Sequence, residues 1–586
     1  MSIIVPRCGF NRNTKKAILY GPMALGGANF RSLSIEQGIS QVMIFLRQWR
    51  KNSISGKLLQ IAVSWFQTQV GVSFSILERV HDPLPHLESK WLLSLRSFLA
   101  LINAKLRLDT PYVPELQRLH DVCIMDVLQS SGTFTPAEIC KLNFCRLYLK
   151  AVTLSDLTTL NGRKLDRNKL LGVHSLLSSH THGTFIHQER PSEASWKLWK
   201  RANMLWSKTD DVLFQPLGDW VLPIHQMRQH HSAYWFSNRL WVKIQDRYTK
   251  CNLESGRTFR ETNCLSDWAS LPPQAVPMLA LPSKPGCWKI HHQSYILELH
   301  RPIAGTFAQY IASLCPWETE LLTHVEMTDN PFTVADALEH GVRAVSDGSD
   351  WYQIQGAFGW TMSTDLGERC AWCMGPARSA SPHAYRSESY GLLSLLCFLR
   401  RLADFTGKHD PWFGIVATDS QSLINTLFPS KVSEILGVEH HSSAAGPLPC
   451  SFPLEPTLPE WDIIRGIQVL LQEMPALKLQ HVKGHQDRNT PYRRLPLLAQ
   501  LNLDADAQAA RYQRDLGGFL PDVLLTEWAG VHLEFPTGTV TAHYETAIRY
   551  QATDPALHSR EVFLDATNHG RHKLGGARQS HATSSQ

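Results

Sequence analysis

The chain has 586 residues, 43% of them hydrophobic and 19% charged, with a formal net charge of +6. That length is too great for one core and implies two to four domains; the balance is that of a folded soluble protein, not a disordered one. Mild basicity permits a nucleic-acid partner without establishing it. Twelve cysteines without a framework of spacings exclude a disulfide-stapled secreted scaffold and read as an intracellular protein, nucleus and cytoplasm undetermined. Cys370 and Cys373 lack a second pair to make a zinc site and read as residues on opposite faces of a strand. The histidines at 174, 180, 182 and 187, and His440 and His441, read as loops. No signal peptide is visible, and the most apolar run, Leu392 to Leu399, is far too short to cross a membrane.

Residues 1–120 read as helical. Ile35, Ile39, Met43, Ile44, Phe45 and Leu46 form an apolar stripe that ends in Arg47, Arg50 and Lys51. Two more helical patterns cover Leu58 to Val72 and Trp91 to Leu106. Residues 121–335 read as helical and irregular. There Trp196, Trp199, Trp206, Trp220, Trp235 and Trp241 interleave with lysines and arginines. Such a pattern either stacks bases and holds phosphates or, the favoured reading, fills the core side of amphipathic helices. Residues 271–286 are Pro-rich and read as a linker or loop.

From Gly341 the pattern sharpens. Short strands are expected at Arg343–Asp347, Ile354–Met362 and Arg369–Met374, then a helix from Tyr385 to Asp404. A buried strand at Pro411–Ala417, a helix at Gln421–Leu427, a Ser/Pro/Gly-rich insertion at 429–459 and a helix at Trp461–Glu473 follow. A strand at Leu477–Val482 and a helix at Ala499–Arg514 complete an α/β domain, 336–514, with a mixed five-stranded sheet. Residues 515–586 begin with strand-like Val531–Phe535 and Gly538–Thr541 and end in a polar tail read as disordered.

Four carboxylates stand out in this domain. Glu388 shares the helical face of Leu392, Leu395, Leu396 and Leu399, an unfavourable place for a charge without a purpose. Asp347 and Asp419 each end a strand, the edge where open α/β sheets bind ligands. Asp506 lies on a small-residue helical face with Ala509 and Ala510. Asp504 is about 200° around that helix, so only one of the two can face the site, and Asp506 is chosen. Converging carboxylates are costly unless a cation neutralises them, and an all-oxygen site suits Mg²⁺, with Mn²⁺ as a substitute.

The segment from Ala344 to Arg514 resembles the type 1 ribonuclease H domain. The resemblance rests on Ser346-Asp347-Gly348-Ser349, Glu388, Thr418-Asp419-Ser420, Val482-Lys483-Gly484-His485 and Asn502-Leu-Asp-Ala-Asp506. Cys8-Gly-Phe-Asn-Arg-Asn-Thr, Tyr20-Gly-Pro-Met-Ala-Leu-Gly-Gly and Glu36-Gln-Gly-Ile resemble the thumb-like region after the palm of non-LTR-like retrotransposon reverse transcriptases. No Tyr-x-Asp-Asp polymerase motif occurs, so a chain without a palm is expected.

The resemblance implies hydrolysis of the RNA strand of an RNA–DNA hybrid with two Mg²⁺ ions about 4 Å apart. It implies that Asp347 bridges the ions, that Glu388 and Asp419 flank one and that Asp506 holds the other. It makes His485 a mobile proton shuttle and Gly348, Ser349, Ser420 and Lys483 substrate contacts. A further contact with single- or double-stranded nucleic acid through residues 1–335 is expected. Two departures stand against the family pattern: Leu503 replaces an acidic residue, and the loop from His485 to Asp506 is long. The alternative from another class is a catalytically inactive nucleic-acid-binding remnant. A transposase or integrase is disfavoured by the fourth acid and the Val-Lys-Gly-His run.

Overall fold

The computed structural model describes Leu19 and residues 32–172, 189–218, 233–290, 305–428 and 455–553, apart from single positions and short gaps within those ranges. The motifs between Cys8 and Gly27, Trp220, both histidine stretches, most of the 429–459 insertion, much of the Pro-rich stretch and the tail lie outside the described residues. The chain divides into two compact units. One comprises residues 1–70, 74–112 and 311–586; the other comprises 71–73 and 113–310. The linear division expected at 120, 335 and 514 is therefore not the one observed. Contacts across as many as 513 residues of sequence, which no local pattern encodes, hold the first unit together.

The first unit opens with helices α1 (Leu33–Arg50), α2 (Ile54–Val70) and α3 (Lys90–Leu101) and strand β1 (Lys105–Leu108). Helix α1 buries Ile39, Val42, Met43, Phe45, Leu46 and Trp49; Ile44, expected in that stripe, faces solvent. After residue 311 come α4 (Pro316–Leu322), β2 (Glu326–Met327) and α5 (Pro331–Leu338). Strands β3 (Val342–Trp351), β4 (Gln355–Ser363) and β5 (Arg369–Ala377) follow, then α6 (Ala384–Thr406), β6 (Gly414–Thr418) and α7 (Gln421–Leu427). Next are α8 (Trp461–Glu473), β7 (Leu477–His481) and α9 (Leu497–Asp515). Strands β8 (Val531–Phe535) and β9 (Gly538–Val540) and helix α10 (Tyr544–Thr553) close the unit.

The main sheet runs β7-β6-β3-β4-β5-β2. Its β3, β4, β5 and β2 are antiparallel, and β3, β6 and β7 are parallel. It thus has six strands, not the five expected. The extra strand, β2, has only two residues and is too short to show a period. It is fixed by pairing with Ala371 and Trp372 and by the Trp372 indole donating to Glu326 at 3.0 Å.

Alternation along β4 sends side chains to opposite faces of the sheet. Trp360 faces α6, its ring tilted by 39° against Phe398 at 4.9 Å and its indole donating to Ser394 at 2.9 Å. Gly359 faces α9, where a Cβ would collide with the backbone of Ala505 and Ala509. With both faces covered, Cys370 and Cys373 are buried free thiols on β5.

The second unit corrects the expectation of a helical and irregular middle region. Its first part is helical (Ile124–Ser130, Pro136–Tyr148, Glu193–Asn203), but Ala233 to Ile290 forms a seven-stranded antiparallel sheet. Trp196, Trp199 and Trp206 are buried, in keeping with the core reading. Trp235 and Trp241 stand on strands, not helices. Tryptophan suits a pleated surface as well as a helix face, so residue type alone did not decide.

Two arginines, Arg50 half-buried and Arg386 buried, tie distant segments of the first unit together. Arg50, the last residue of α1, donates to the carbonyls of Pro456 and Val531 at 2.8 Å and to the Tyr544 hydroxyl at 3.1 Å. Its guanidinium also lies over the rings of Trp461 and Tyr544. Arg386, in the first turn of α6, is 1% exposed. It pairs with Glu460, and with Asp462 at 2.8 Å, while its Nε donates to the Arg378 carbonyl at 2.6 Å. Glu460 in turn accepts from Thr541 at 3.1 Å, on the C-terminal segment.

The α/β part therefore depends on chain segments outside 336–514. Arg50→Ala leaves two buried carbonyls without their donor. It is expected to lower stability by about 2–4 kcal/mol, read as a lower urea midpoint for the full chain.

Candidate active site

Asp419 follows the carboxyl end of β6, whereas Asp347, expected to end its strand, lies in the middle of β3, which its antiparallel pairing with β4 extends to Trp351; the two aspartates still stand at the same level of neighbouring parallel strands. Ser346 pairs with Thr418, and each aspartate is the next residue. Neighbouring strands lie about 5 Å apart. Asp347 is paired across the antiparallel ladder with Gly359, so it shares the face that α9 covers. Asn502 on α9 donates to its Oδ2 at 3.4 Å, and the Gly348 amide donates to its Oδ1 at 2.7 Å.

Glu388 arrives from the opposite face. Its helix presses on β3 so closely that a Cβ at Gly348 would collide with the backbone of Ser387 and Glu388. The neighbour that Gly348 admits is thus helix α6. At Gly391, one turn on, a Cβ would stand 3.0 Å from the Asp347 carbonyl. Asp506 follows Asn502 by four residues and so lies on the same face of α9. Asp504 points elsewhere, gripped by Arg369 at 2.8 Å and by the Tyr492 hydroxyl at 2.8 Å.

The electrostatics tie the four acids together. Burial pushes the Asp347 carboxyl up to about 8, and the charges of Asp419, Asp506 and Glu388 add to the rise. Burial, with the Asp419 charge beside it, pushes Glu388 up to about 7 against a hydrogen bond from Ser420. Asp419 is also raised by burial, while His485, Asn502 and His481 oppose the rise. Glu388 Oε2 and Asp419 Oδ1 are buried without a hydrogen-bond partner. Unpartnered buried carboxylate oxygens are costly and rare.

A cation would satisfy these oxygens. Among the described residues, no three His, Cys, Asp or Glu side chains close into a ready-made metal cage. Mg²⁺ does not require one, because it keeps several waters and needs only one or two carboxylates. The donor set of Asp347, Glu388, Asp419 and Asp506 is all oxygen and fits that ion.

The remaining expected residues are placed as follows. Ser349 donates to Gln513 on α9 at 3.0 Å. Ser420 stands at the residue before α7, where its side chain bonds Glu388 and makes no capping hydrogen bond to the helix. Lys483 and His485 are exposed on the loop after β7. His485 has a left-handed backbone, φ 52°, and its charge acts on Asp419. Gly484 lies under Asp419, where a Cβ would stand 2.6 Å from Oδ2. Asn502 and Gly484 belong to the sequence motifs, and the structure adds their contacts with Asp347 and Asp419. The four-residue spacing from Asn502 to Asp506 was the signal available for the first.

No protein-family model and no curated protein matches this chain. Solved structures do. LC11-RNase H1 in complex with an RNA/DNA hybrid is 14% identical, over 29% of this chain and 94% of that one, at a TM-score of 0.18. The PFV RNase H domain is 19% identical over 29% and 91%, at 0.19. The N-terminal RNase H domain of rv2228c from Mycobacterium tuberculosis, solved as a fusion with maltose-binding protein, is 15% identical over 30% and 95%, at 0.17. Scores this low carry no weight beside the sheet order and the carboxylate geometry.

A pH dependence follows from the Asp347 shift. The unfolded chain loses this proton near pH 4, whereas the folded chain holds it to about pH 8. Between these values the folded state binds more protons, so stability falls as pH rises through the window. Asp347→Asn removes that loss. In EDTA its melting temperature is expected to exceed the parent's by a margin on the order of 5 °C at pH 8, shrinking towards zero at pH 4. A margin independent of pH would refute the assignment.

Proposed function

We propose that this chain hydrolyses the RNA strand of RNA–DNA hybrids at the Asp347 cluster. The observation that carries the reading is the buried Asp347 within β3, raised by the charges of the half-buried Asp419, Asp506 and Glu388 around it, with two enclosed carboxylate oxygens that have no partner. Such an arrangement destabilises the apo protein and gives a divalent cation its binding energy.

Asp347, Glu388, Asp419 and Asp506 would hold Mg²⁺, with Mn²⁺ as a substitute, and the bound metal supplies a more acidic water and charge neutralisation at the phosphate. Glu388, in the first turns of α6, offers an acceptor for a ribose 2′-hydroxyl, the group that distinguishes RNA from DNA. Asn502 holds the Asp347 carboxylate in place through its amide. Gly484 keeps the loop low enough for His485 to lie near Asp419, where an imidazole can pass a proton to the leaving oxygen. Lys483 on the same exposed loop can contact a phosphate. On the likeness of residues 8–39 alone, the domain belongs in a retrotransposon reverse-transcriptase context.

The test is cleavage of a labelled hybrid by the full chain, since 336–514 lacks the Arg50 and Thr541 contacts. Cutting of the RNA strand alone is expected, dependent on Mg²⁺ and abolished by EDTA. Asp419→Asn is expected to lower kcat by at least about 100-fold, a loss of several kcal/mol of transition-state stabilisation. Hybrid binding by folded protein without any cleavage would leave the inactive remnant as the better reading.

A second expectation concerns the cation itself. Mg²⁺ at pH 8 should raise the melting temperature of the parent more than that of Asp347→Asn, because only the folded state assembles the site.

A further inference from the structure

The end of β3 and the turn to β4 carry Trp351, Tyr352 and Ile354, which are 54%, 81% and 58% exposed. Tyr352 has φ 51°, a left-handed backbone that an aromatic residue rarely adopts. The two rings stand together, 6.0 Å between centroids and tilted by 57°. Three large apolar side chains held in solvent by a strained turn gain nothing from the fold itself.

Position makes them useful. Trp351 lies four residues beyond Asp347 on the same strand, about 13 Å away, or about four nucleotide steps along a strand. Helix α9 runs from the site towards this turn: Asn502 and Asp506 lie near Asp347, and Gln513 bonds Ser349 and the Gln355 carbonyl. The last turns of α9 also present Arg511 and Arg514, which are largely exposed and make only long ion pairs with Asp515 at 3.8 Å. Exposed aromatic faces on the strand end and exposed guanidinium groups on the helix end bonded to it suit a stacking platform for unpaired bases.

We infer that Trp351 and Tyr352 stack an unpaired nucleotide where a hybrid gives way to single strand, so that the protein prefers hybrids with a single-stranded extension to blunt ones. The inference rests on the nuclease reading for the identity of the duplex. A paired base offers its face only at a duplex end, whereas an unpaired base offers both faces. The same tip therefore discriminates the two substrates.

The experiment uses the full chain in EDTA. Hybrids with 2-aminopurine in a short single-stranded extension, on either strand, are compared with a blunt hybrid of the same sequence. The parent is expected to bind an extended hybrid about tenfold tighter than the blunt one, with quenched 2-aminopurine fluorescence. Trp351→Ala with Tyr352→Ala should bring that ratio close to one and restore the fluorescence. Trp351→Phe with Tyr352→Phe, which keeps two aromatic faces, should retain most of both. A parent ratio near one, or a ratio unchanged in the alanine variant, overturns the inference. The two readings fail separately. Mg²⁺-dependent cleavage by the parent tests the nuclease, while the extended-to-blunt ratio is read without metal.

Discussion

Two close approaches of helix to strand determine where the acids lie. At Gly359 the backbone of α9 lies against β4 with no room for a Cβ, and at Gly348 the first turns of α6 lie equally close to β3. Asp347 sits between them, paired with Gly359 and followed by Gly348. Any side chain at either glycine would move a helix by more than the tolerance of a catalytic site, where about 1 Å decides activity. Glycine weakens a strand through backbone entropy and absent packing. Here the loss is balanced by helices that cover both faces of the sheet and bring Glu388 and Asp506 to a common edge.

Beside the acids the fold buries a second charged network, closed on itself. Arg386, two residues before Glu388, is fully enclosed and satisfied by Glu460, Asp462 and the Arg378 carbonyl. Asp462 is held below the usual carboxylate range by that guanidinium, despite burial that acts the other way. Breaking one partner of such a network is far more costly than never having built it. Its effect is to fix the start of α6, and with it the direction in which Glu388 leaves the helix. Because Glu460 is also bonded to Thr541, and Arg50 reaches Val531 and Tyr544, the terminal segments belong to the same structural unit as the acids.

The order of elements from Val342 to Asp515 was legible because each has a clean local signal. Alternation marks β4, an apolar face marks α6, and Asp347 and Asp419 close short apolar runs. The choice of Asp506 over Asp504 came from helix geometry, and Arg369 and Tyr492 occupy the residue that was set aside. What was not legible depends on distant partners. Strand β1 has four residues and pairs with β8, so neither end of the chain announces the other. Strand β2 is two residues long. In the second unit, tryptophans spaced among basic residues suit helix and strand alike, and the seven-stranded sheet went unread.

Helix α9 links these levels. Asn502, Asp506, Ala509 and Gln513 recur at spacings of three and four and share one face. The first steadies Asp347, the second adds its charge to the cluster, the third lies against Gly359, and the fourth fixes the β3 end through Ser349. A helix held at its middle by a glycine contact acts as a rigid rod over its length. A shift at Gly359 would therefore move the acid and the aromatic turn together. The distance from the carboxylates to Trp351 is thus set by secondary structure alone, four strand residues on one side and two helical turns on the other. A nucleic-acid strand that meets both points meets a fixed ruler, not two independent contacts.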